Sequence, residues 1–133
     1  MDVVLETHDS HAVLAFKGIE RCGDDFSCML AVLSGGFSAE RQFLIDSEYL
    51  EQFCRDIRVM DSTLRGSARL GYRYEQEELA FELDKLGHVL VKGLLIDYGP
   101  PHQELRFAFR TDQTCLAPLV RDFERVLKRG SAA

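Results

Sequence analysis

The sequence lacks the short motifs that mark common enzyme classes. It contains no GxSxG elbow, no P-loop and no GxGxxG segment after a strand. Its four cysteines, Cys22, Cys28, Cys54 and Cys115, form no CxxC pair or other metal-ligand spacing. We therefore expect a protein that is not an enzyme and holds no metal or cofactor, with its cysteines reduced as in the cytoplasm.

Long apolar runs and an excess of positive charge are also missing. No apolar run approaches the ~20 residues that a membrane-spanning helix requires. Residues 1–11 have no basic segment followed by an apolar one, so they predict no signal peptide. Lys and Arg number 16 against 22 Asp and Glu, a net charge of −6. These features predict a cytoplasmic protein without membrane contact and argue against a general nucleic-acid binder, whose surface is usually basic.

The composition that remains is that of an ordinary globular domain. Apolar residues make up 46% of the 133 residues and charged residues 29%. A chain of this length buries about two-thirds of its unfolded surface, so it needs no disulfide or metal for stability. We predict one α+β domain over residues 1–128, followed by a frayed tail at 129–133.

Residues 79–112 predict three consecutive antiparallel strands around which the rest of the chain is built. Segments 79–83 and 105–110 alternate apolar and polar residues, a spacing that puts every second side chain on one face of a sheet. Segment 89–96 is apolar except at Lys92 and Gly93, which is typical of a central strand. The polar turn 84–87 and the Gly99-Pro100-Pro101 link separate the three.

The remaining segments extend this pattern to about eight strands, mostly antiparallel. Alternation predicts strands in segments 26–33, 37–45 and 68–74. Segments 3–6 and 12–17, joined by a polar turn, predict an opening pair of strands. Residues 18–25 carry a cluster of turn-forming residues and predict a loop. In the 68–74 strand, Tyr72 and Tyr74 fall on the apolar side together with Leu70.

Two segments have helical spacing of apolar residues. The first runs from about Glu48 to Thr63, with Asp46-Ser47 as its side-chain N-cap and Tyr49 on its buried face. The second begins in Asp112-Gln113-Thr114, where Asp112 or Thr114 supplies the cap, and is C-terminal. Two amphipathic helices therefore complete the predicted fold.

Acidic residues are concentrated in segments predicted to be loops. They are Asp24, Asp25, Glu75, Glu77, Glu78 and Asp97. Together they are a candidate surface for a basic protein partner, because complementary charge accelerates association. The alternative is that these residues are simply the solvated polar surface of loops.

Four arginines form a second candidate site. Arg69 and Arg73 lie on the polar side of one predicted strand, and Arg106 and Arg110 on that of another. If the two strands share a sheet face, the guanidinium groups form a strip that can bind carboxylate or phosphate. The alternative is cross-strand ion pairing with acids such as Glu82.

The four histidines do not predict a site. His8 and His11 have an HxxH spacing, but they lie on a predicted turn rather than on one face of a helix. His102 follows two prolines and has no partner for acid–base chemistry in the sequence. Solvent-exposed histidines are the simpler interpretation.

Two segments carry a family resemblance. One is Gly36-Phe37-Ser38, which opens a strand before a capped helix. The other is the pattern LxFxFxxDQTxL from Leu105 to Leu116, followed by an apolar helix. On these motifs the chain, from about Phe26 to Lys128, resembles the WapI-type immunity proteins of bacterial polymorphic-toxin systems and related small bacterial domains of unknown function. The resemblance implies a protein that neutralises a toxin by binding it, and it assigns no contacting residue.

The preferred hypothesis from the sequence is a cytoplasmic immunity protein whose acidic loops bind a basic toxin domain. Two alternatives remain open. One is a small anion or ligand binder that uses the arginine-bearing sheet face, and the other is a homo-oligomeric module.

Overall fold

The eight strands are divided between two antiparallel sheets of four strands each. The computed structural model describes residues 1–131, which confirm the predicted α+β class, the strand number and the two helices. The strands of the first sheet are β1 (Val3–Leu5), β2 (Ala12–Cys22), β3 (Asp25–Ser34) and β4 (Phe37–Ile45). Those of the second are β5 (Ser67–Gly71), β6 (Glu78–Leu83), β7 (His88–Asp97) and β8 (Gln103–Asp112).

Each sheet is followed by a helix. Helix α1 (Ser47–Thr63) connects β4 to β5, and α2 (Leu116–Ser131) follows β8 after one 3-10 turn at Gln113–Cys115. The Asp112 carboxylate accepts the Thr114 N–H at 2.8 Å, which confirms one of the two caps predicted for this junction. Of the predicted frayed tail, Ala132 and Ala133 lie outside the described residues.

The predicted loop at residues 18–25 is wrong, because β2 continues through it to Cys22. Gly18 adopts a φ of +58°, and the pairing of β2 with β3 shifts between Lys17 and Glu20. This is a β-bulge, in which an extra residue disturbs the ladder without ending the strand. Only Gly23 and Asp24 remain as the turn between β2 and β3.

The second sheet contains the predicted meander, with strands in the order β5-β6-β7-β8. Gly93 on β7 lies opposite Phe107 on β8 and Leu79 on β6. A Cβ atom at Gly93 would lie 2.2 Å from the Phe107 ring, so the glycine leaves room for that ring to lie across β7. The break in the apolar run of β7 is therefore a packing requirement.

One core joins both sheets and both helices through phenylalanine rings. Phe16 on β2 contacts Phe123 on α2 edge-on, with ring centroids 5.0 Å apart. Phe53 on α1 contacts Phe123 at 5.7 Å and Phe81 on β6 at 5.3 Å. The buried core residues include members of all eight strands. The rings thus form a continuous path from the first sheet, through the helices, to the second.

Candidate functional site

The loop at residues 72–77, between β5 and β6, is the most unusual segment of the surface. We expected β5 to continue to Tyr74, but it ends at Gly71. The fully buried Asp46 carboxylate accepts the Arg73 N–H at 2.6 Å and its Nε–H at 3.2 Å, while the Asp46 N–H donates to the Gly71 carbonyl. Asp46 thereby turns the chain away from the sheet one residue after Gly71.

Asp46 occupies the N-cap position of α1, which confirms the predicted position of the cap. Its side chain makes no hydrogen bond to the helix, so the predicted side-chain cap is wrong and the carboxylate is available to Arg73. Instead the Asp25 carboxylate accepts the Ser47 N–H at 3.3 Å, and the Ser47 hydroxyl donates to the Asp24 carbonyl. The turn between β2 and β3 therefore closes the start of α1, and Asp46 is left to anchor the 72–77 loop.

The loop brings all four tyrosines of the chain to one surface. Tyr72 and Tyr74 contact each other edge-on at 5.5 Å, and Tyr74 is 77% exposed. Tyr72 shares one groove with Tyr49 of α1 and a second with Tyr98, which follows β7. The buried positions predicted for Tyr74 and Tyr49 are wrong, because Tyr74 lies in the loop and Tyr49 is exposed at the groove between α1 and β5.

Most of the predicted acidic residues border these tyrosines. Glu75, Glu77 and Glu78 line the groove that holds Tyr49 and Tyr72. Asp97 immediately precedes Tyr98 and is exposed. We call the exposed and half-buried residues of this region the acid–tyrosine surface; its members are Asp24, Asp25, Tyr49, Tyr72, Tyr74, Glu75, Glu78, Asp97 and Tyr98.

Glu77 differs from the other acids because it is only 7% exposed. Its carboxylate accepts the Ile96 N–H at 2.7 Å and lies 3.3 Å from Nε of Arg41. That Nε–H is not aligned for a hydrogen bond, so the Arg41 contact is electrostatic. Arg41 also lies 3.7 Å from Asp97. Glu77 therefore fixes the loop to β7 and, through Arg41, to β4 of the other sheet.

We predicted that all six acids lie in loops, and for three of them this is wrong. Asp25 begins β3, Glu78 begins β6 and Asp97 ends β7. The strands are longer than the alternation of their apolar residues indicated, because ladder pairing continues past the last buried side chain. Their positions at strand ends still leave these three carboxylates at the border of the surface.

The pKa values of two tyrosine hydroxyl groups are raised. Loss of water contact raises the pKa of Tyr72, and the nearby carboxylates of Asp25 and Asp46 raise it further. Loss of water contact also raises the pKa of Tyr98, and the Glu75 carboxylate adds to the effect. Both hydroxyls therefore stay neutral and remain hydrogen-bond donors across the physiological range.

The structure does not bring the four predicted arginines together. Arg69 shares the outer face of the second sheet with Arg106 and Arg110, but β5 and β8 are the two edges of that sheet. Three strand spacings, about 14 Å, separate them. Arg69 is 3.7 Å from Glu78, and Arg73 is paired with Asp46. On the strands between them, Lys92 and Glu82 form their own pair at 3.1 Å.

Arg106 and Arg110 remain together in a separate groove of about 590 Å³. They line it with Asp9, His11 and the exposed ring of Phe37, so two guanidinium groups face one carboxylate. Within residues 1–131 neither guanidinium group has a hydrogen bond or an ion pair. We call this set the basic groove.

The cysteines and histidines gather no reactive cluster in the part of the chain that is described. Burial raises the pKa of Cys28, Cys54 and Cys115 to about 12, and Cys22 is exposed. No group of three or more His, Cys, Asp or Glu among these residues has the arrangement of a metal site. Likewise, no helix within residues 1–131 is long and apolar enough to cross a membrane.

The tyrosine cluster and Arg41 are what the sequence analysis missed. The pair Tyr72-x-Tyr74 next to an acidic run was a usable signal, because a bulky aromatic pair beside charged turn residues is typical of binding surfaces. Arg41 lies on the apolar side of β4, in phase with Phe43. A charged side chain on that side needs a paired acid, which Glu77 provides.

The fold and this surface define a two-sheet α+β protein whose exposed features suit contact with another macromolecule. Comparison with protein families makes this more specific. The family described as "Immunity protein WapI-like family" matches residues 15–129, and the chain belongs to it. Membership of an immunity-protein family implies binding of a cognate toxin.

A comparison with solved structures supports the fold alone. A chain from "Crystal structures of trypanosoma bruciei MRP1/MRP2" superposes with a TM-score of 0.58 at 12% identity. The match covers 98% of this chain and 84% of that one. Comparison with curated proteins gives no match at a significant level.

Proposed function

We propose that the protein neutralises a cognate toxin by binding it through the acid–tyrosine surface, in the cytoplasm and without catalysing a reaction. The observation that carries the proposal is the convergence of all four tyrosines with exposed carboxylates. Tyrosine is enriched in protein interfaces because it offers a large rigid ring together with a polar hydroxyl. The net charge of −6 and this acidic border suit a toxin domain with a basic surface.

The surface is also rigidly supported, which lowers the entropy lost on binding. Asp46 and Glu77, both buried, hold the two ends of the 72–77 loop against α1 and β7. A loop that is already ordered does not have to be ordered by its partner. Affinity can then come from a few exposed aromatic side chains.

Co-expression with the toxin domain encoded next to this gene tests the proposal. The chain should restore growth, and the purified proteins should form a stable complex. Tyr74→Ala should weaken that complex about 10–100-fold, the usual cost of truncating a central interface tyrosine. Phe37→Ala is the matched control, because Phe37 is equally exposed but lies in the basic groove. Absence of both rescue and complex would contradict the proposal.

Salt dependence tests the charge complementarity separately. Raising the ionic strength should slow association more than it speeds dissociation, because screening acts on the encounter of the two charged surfaces. A double Glu75→Gln/Glu78→Gln variant should show a smaller salt effect than the wild type. If association is independent of salt in both, the toxin does not meet an acidic surface.

A second candidate function is anion binding in the basic groove. It is favoured by one observation, that Arg106 and Arg110 have no hydrogen-bond or ion-pair partner within residues 1–131 and face one groove together. Millimolar inorganic phosphate should raise the melting temperature of the wild type and not that of an Arg106→Ala/Arg110→Ala variant. An unchanged wild-type melting temperature at about 10 mM phosphate, roughly ten times the Kd of a weak site near 1 mM, removes this candidate.

A further inference from the structure

Strand β5 is an edge of the second sheet, and its free side faces a groove of about 390 Å³. The opposite wall of the groove is formed by Tyr49, Gln52 and Asp56 of α1. These three residues follow one stripe of the helix at spacings of three and four. The groove is continuous with the acid–tyrosine surface, because Tyr72, Glu75 and Glu78 line it as well.

The backbone groups on the free side of β5 can be assigned from its two ends. In a strand, the N–H and C=O of one residue point to the same side, and successive residues alternate. The Gly66 carbonyl accepts the Leu83 N–H, so Gly66 faces β6. The Gly71 carbonyl accepts the Asp46 N–H, so Gly71 faces away from β6. Counting by alternation from Gly66 or from Gly71 gives the same result: the backbone groups of Ser67 and Arg69 point to the free side of β5.

Those groups have no partner within the described chain. The register of β5 with β6 puts the N–H and C=O of Ser67 and Arg69 outside their ladder, and no turn, loop or side-chain hydrogen bond reaches these groups among residues 1–131. The corresponding edge at β8 is treated differently: the Ser34 hydroxyl donates to the Ala108 carbonyl at 3.1 Å. A strand edge whose backbone groups have no partner is a template for one more strand.

The charges of the groove indicate what kind of segment would fit. Asp56, Glu75 and Glu78 contribute carboxylates, against the guanidinium groups of Arg69 and Arg73. Arg73 is paired with the buried Asp46, and Arg69 with Glu78, so the carboxylates of Asp56 and Glu75 are left without an ion pair among residues 1–131. The remaining balance is negative, which favours basic side chains on an incoming strand.

We propose that an extended, basic segment of the toxin adds to the free edge of β5 as a fifth strand, with its side chains between α1 and the 72–77 loop. This inference rests on the proposed function and names how the partner is held. The backbone N–H and C=O of Arg69 form the central pair of hydrogen bonds, as in other cases of strand addition. Tyr49 and Asp56 contact alternate side chains of the added strand.

Amide hydrogen exchange in the complex with the neighbouring toxin domain tests the inference. The Arg69 amide faces solvent in the free protein and should exchange at least about tenfold more slowly in the complex, because its N–H becomes bonded. The Ala68 and Leu70 amides already face β6 and should change less. If the Arg69 amide exchanges equally fast in both states while the complex forms, strand addition is wrong.

Two substitutions at Arg69 separate the backbone from the side chain. Arg69→Pro removes the outward N–H, which proline can replace on an edge strand, and should weaken toxin binding at least about tenfold. Arg69→Ala keeps the N–H and should bind within about threefold of the wild type. If Arg69→Pro does not fold, the exchange measurement on the wild type decides alone.

The outcomes distinguish the two proposals. If the toxin does not bind the wild type, both fall together. If it binds and Tyr74→Ala weakens the complex, but Arg69→Pro binds as well as Arg69→Ala, the proposed function stands and strand addition is overturned.

Discussion

Phenylalanine and tyrosine are sorted to different regions of this molecule although they differ by one hydroxyl group. Six of the nine phenylalanines are almost completely buried, and their ring contacts connect the two sheets through the helices. All four tyrosines lie instead around one end of the second sheet, beside carboxylates. A buried hydroxyl needs a hydrogen-bond partner, whereas a bare ring does not. The fold therefore depends on the phenylalanines, and the proposed recognition of a toxin depends on the tyrosines.

The strongest test of this comparison is Phe53→Ala. Phe53 is fully buried and contacts the rings of both Phe81 and Phe123, so its removal leaves a cavity where the two helices meet the second sheet. We expect a loss of about 3–5 kcal/mol in the free energy of unfolding, measured by urea denaturation. Phe37→Ala, at an exposed ring, should change it by less than about 0.5 kcal/mol. Similar losses for both would show that the interior is not specifically packed.

Gly93→Ala should lower the free energy of unfolding somewhat less than Phe53→Ala does. It tests how the Phe107 ring packs against β7. The new methyl group would lie 2.2 Å from the Phe107 ring and 3.0 Å from Leu79, so the ring must move. Overpacking of this kind costs about 2–3 kcal/mol. Gly36→Ala is the matched control, because a Cβ there has no neighbour within 4 Å. Equal melting temperatures for the two variants would contradict the assigned packing.

The support beneath the tyrosines can be tested with Asp46→Ala. The change leaves the Arg73 N–H without its acceptor and releases the 72–77 loop from α1. We expect a loss of about 1–3 kcal/mol in stability, because the hydrogen-bonded carboxylate is fully buried. Amide exchange at Tyr72 and Tyr74 should rise more than exchange in the core strands. Glu48→Ala removes an exposed carboxylate 3.9 Å from the same arginine and should cost less than about 0.5 kcal/mol.

The sequence predicted the interior better than the surface, for a physical reason. Burial imposes a period on the chain, and the alternation in segments 79–83 and 105–110 was enough to locate β6 and β8. Hydrophobic spacing likewise located both helices. It did not show that the strands form two sheets, because alternation reports which face of a strand is buried and not which strand lies beside it.

The surface depends on contacts between residues far apart in sequence. The end of β5 is determined by Asp46, and the start of α1 by Asp25, neither of which has a local signature for that role. Gly18 likewise suggested a loop where a bulge lets β2 continue. The acidic residues were recognised because charge is visible in composition. The tyrosines were missed because Tyr72 and Tyr74 continue the alternation of β5 and were therefore placed on its apolar side. The strand ends before them, at Gly71.

The smallest expected effect is an alkaline loss of stability that belongs to the tyrosines and not to the phenylalanines. The folded-state pKa values of Tyr72 and Tyr98 are raised, chiefly by loss of water contact, above the value of about 10 for an unfolded chain. The stabilising contribution of a neutral hydroxyl is therefore complete below pH 10 and is lost as the pH rises through the folded-state pKa. The difference in unfolding free energy between the wild type and Tyr72→Phe/Tyr98→Phe should be constant near pH 7–9. Above pH 10 the wild type should lose stability relative to the double variant.

Absorbance of tyrosinate during an alkaline titration measures the same shift directly. The double variant should lose the part of the wild-type curve that titrates above pH 10, since phenylalanine has no ionisable group. Tyr74→Phe, at the most exposed of the four rings, calibrates the absorbance of one tyrosine. If the double variant instead loses the lowest part of the curve, the two hydroxyls are not the ones shielded from water. The surface would then be four freely solvated rings rather than a preorganised site, and the contrast between structural phenylalanines and binding tyrosines would lose its physical basis.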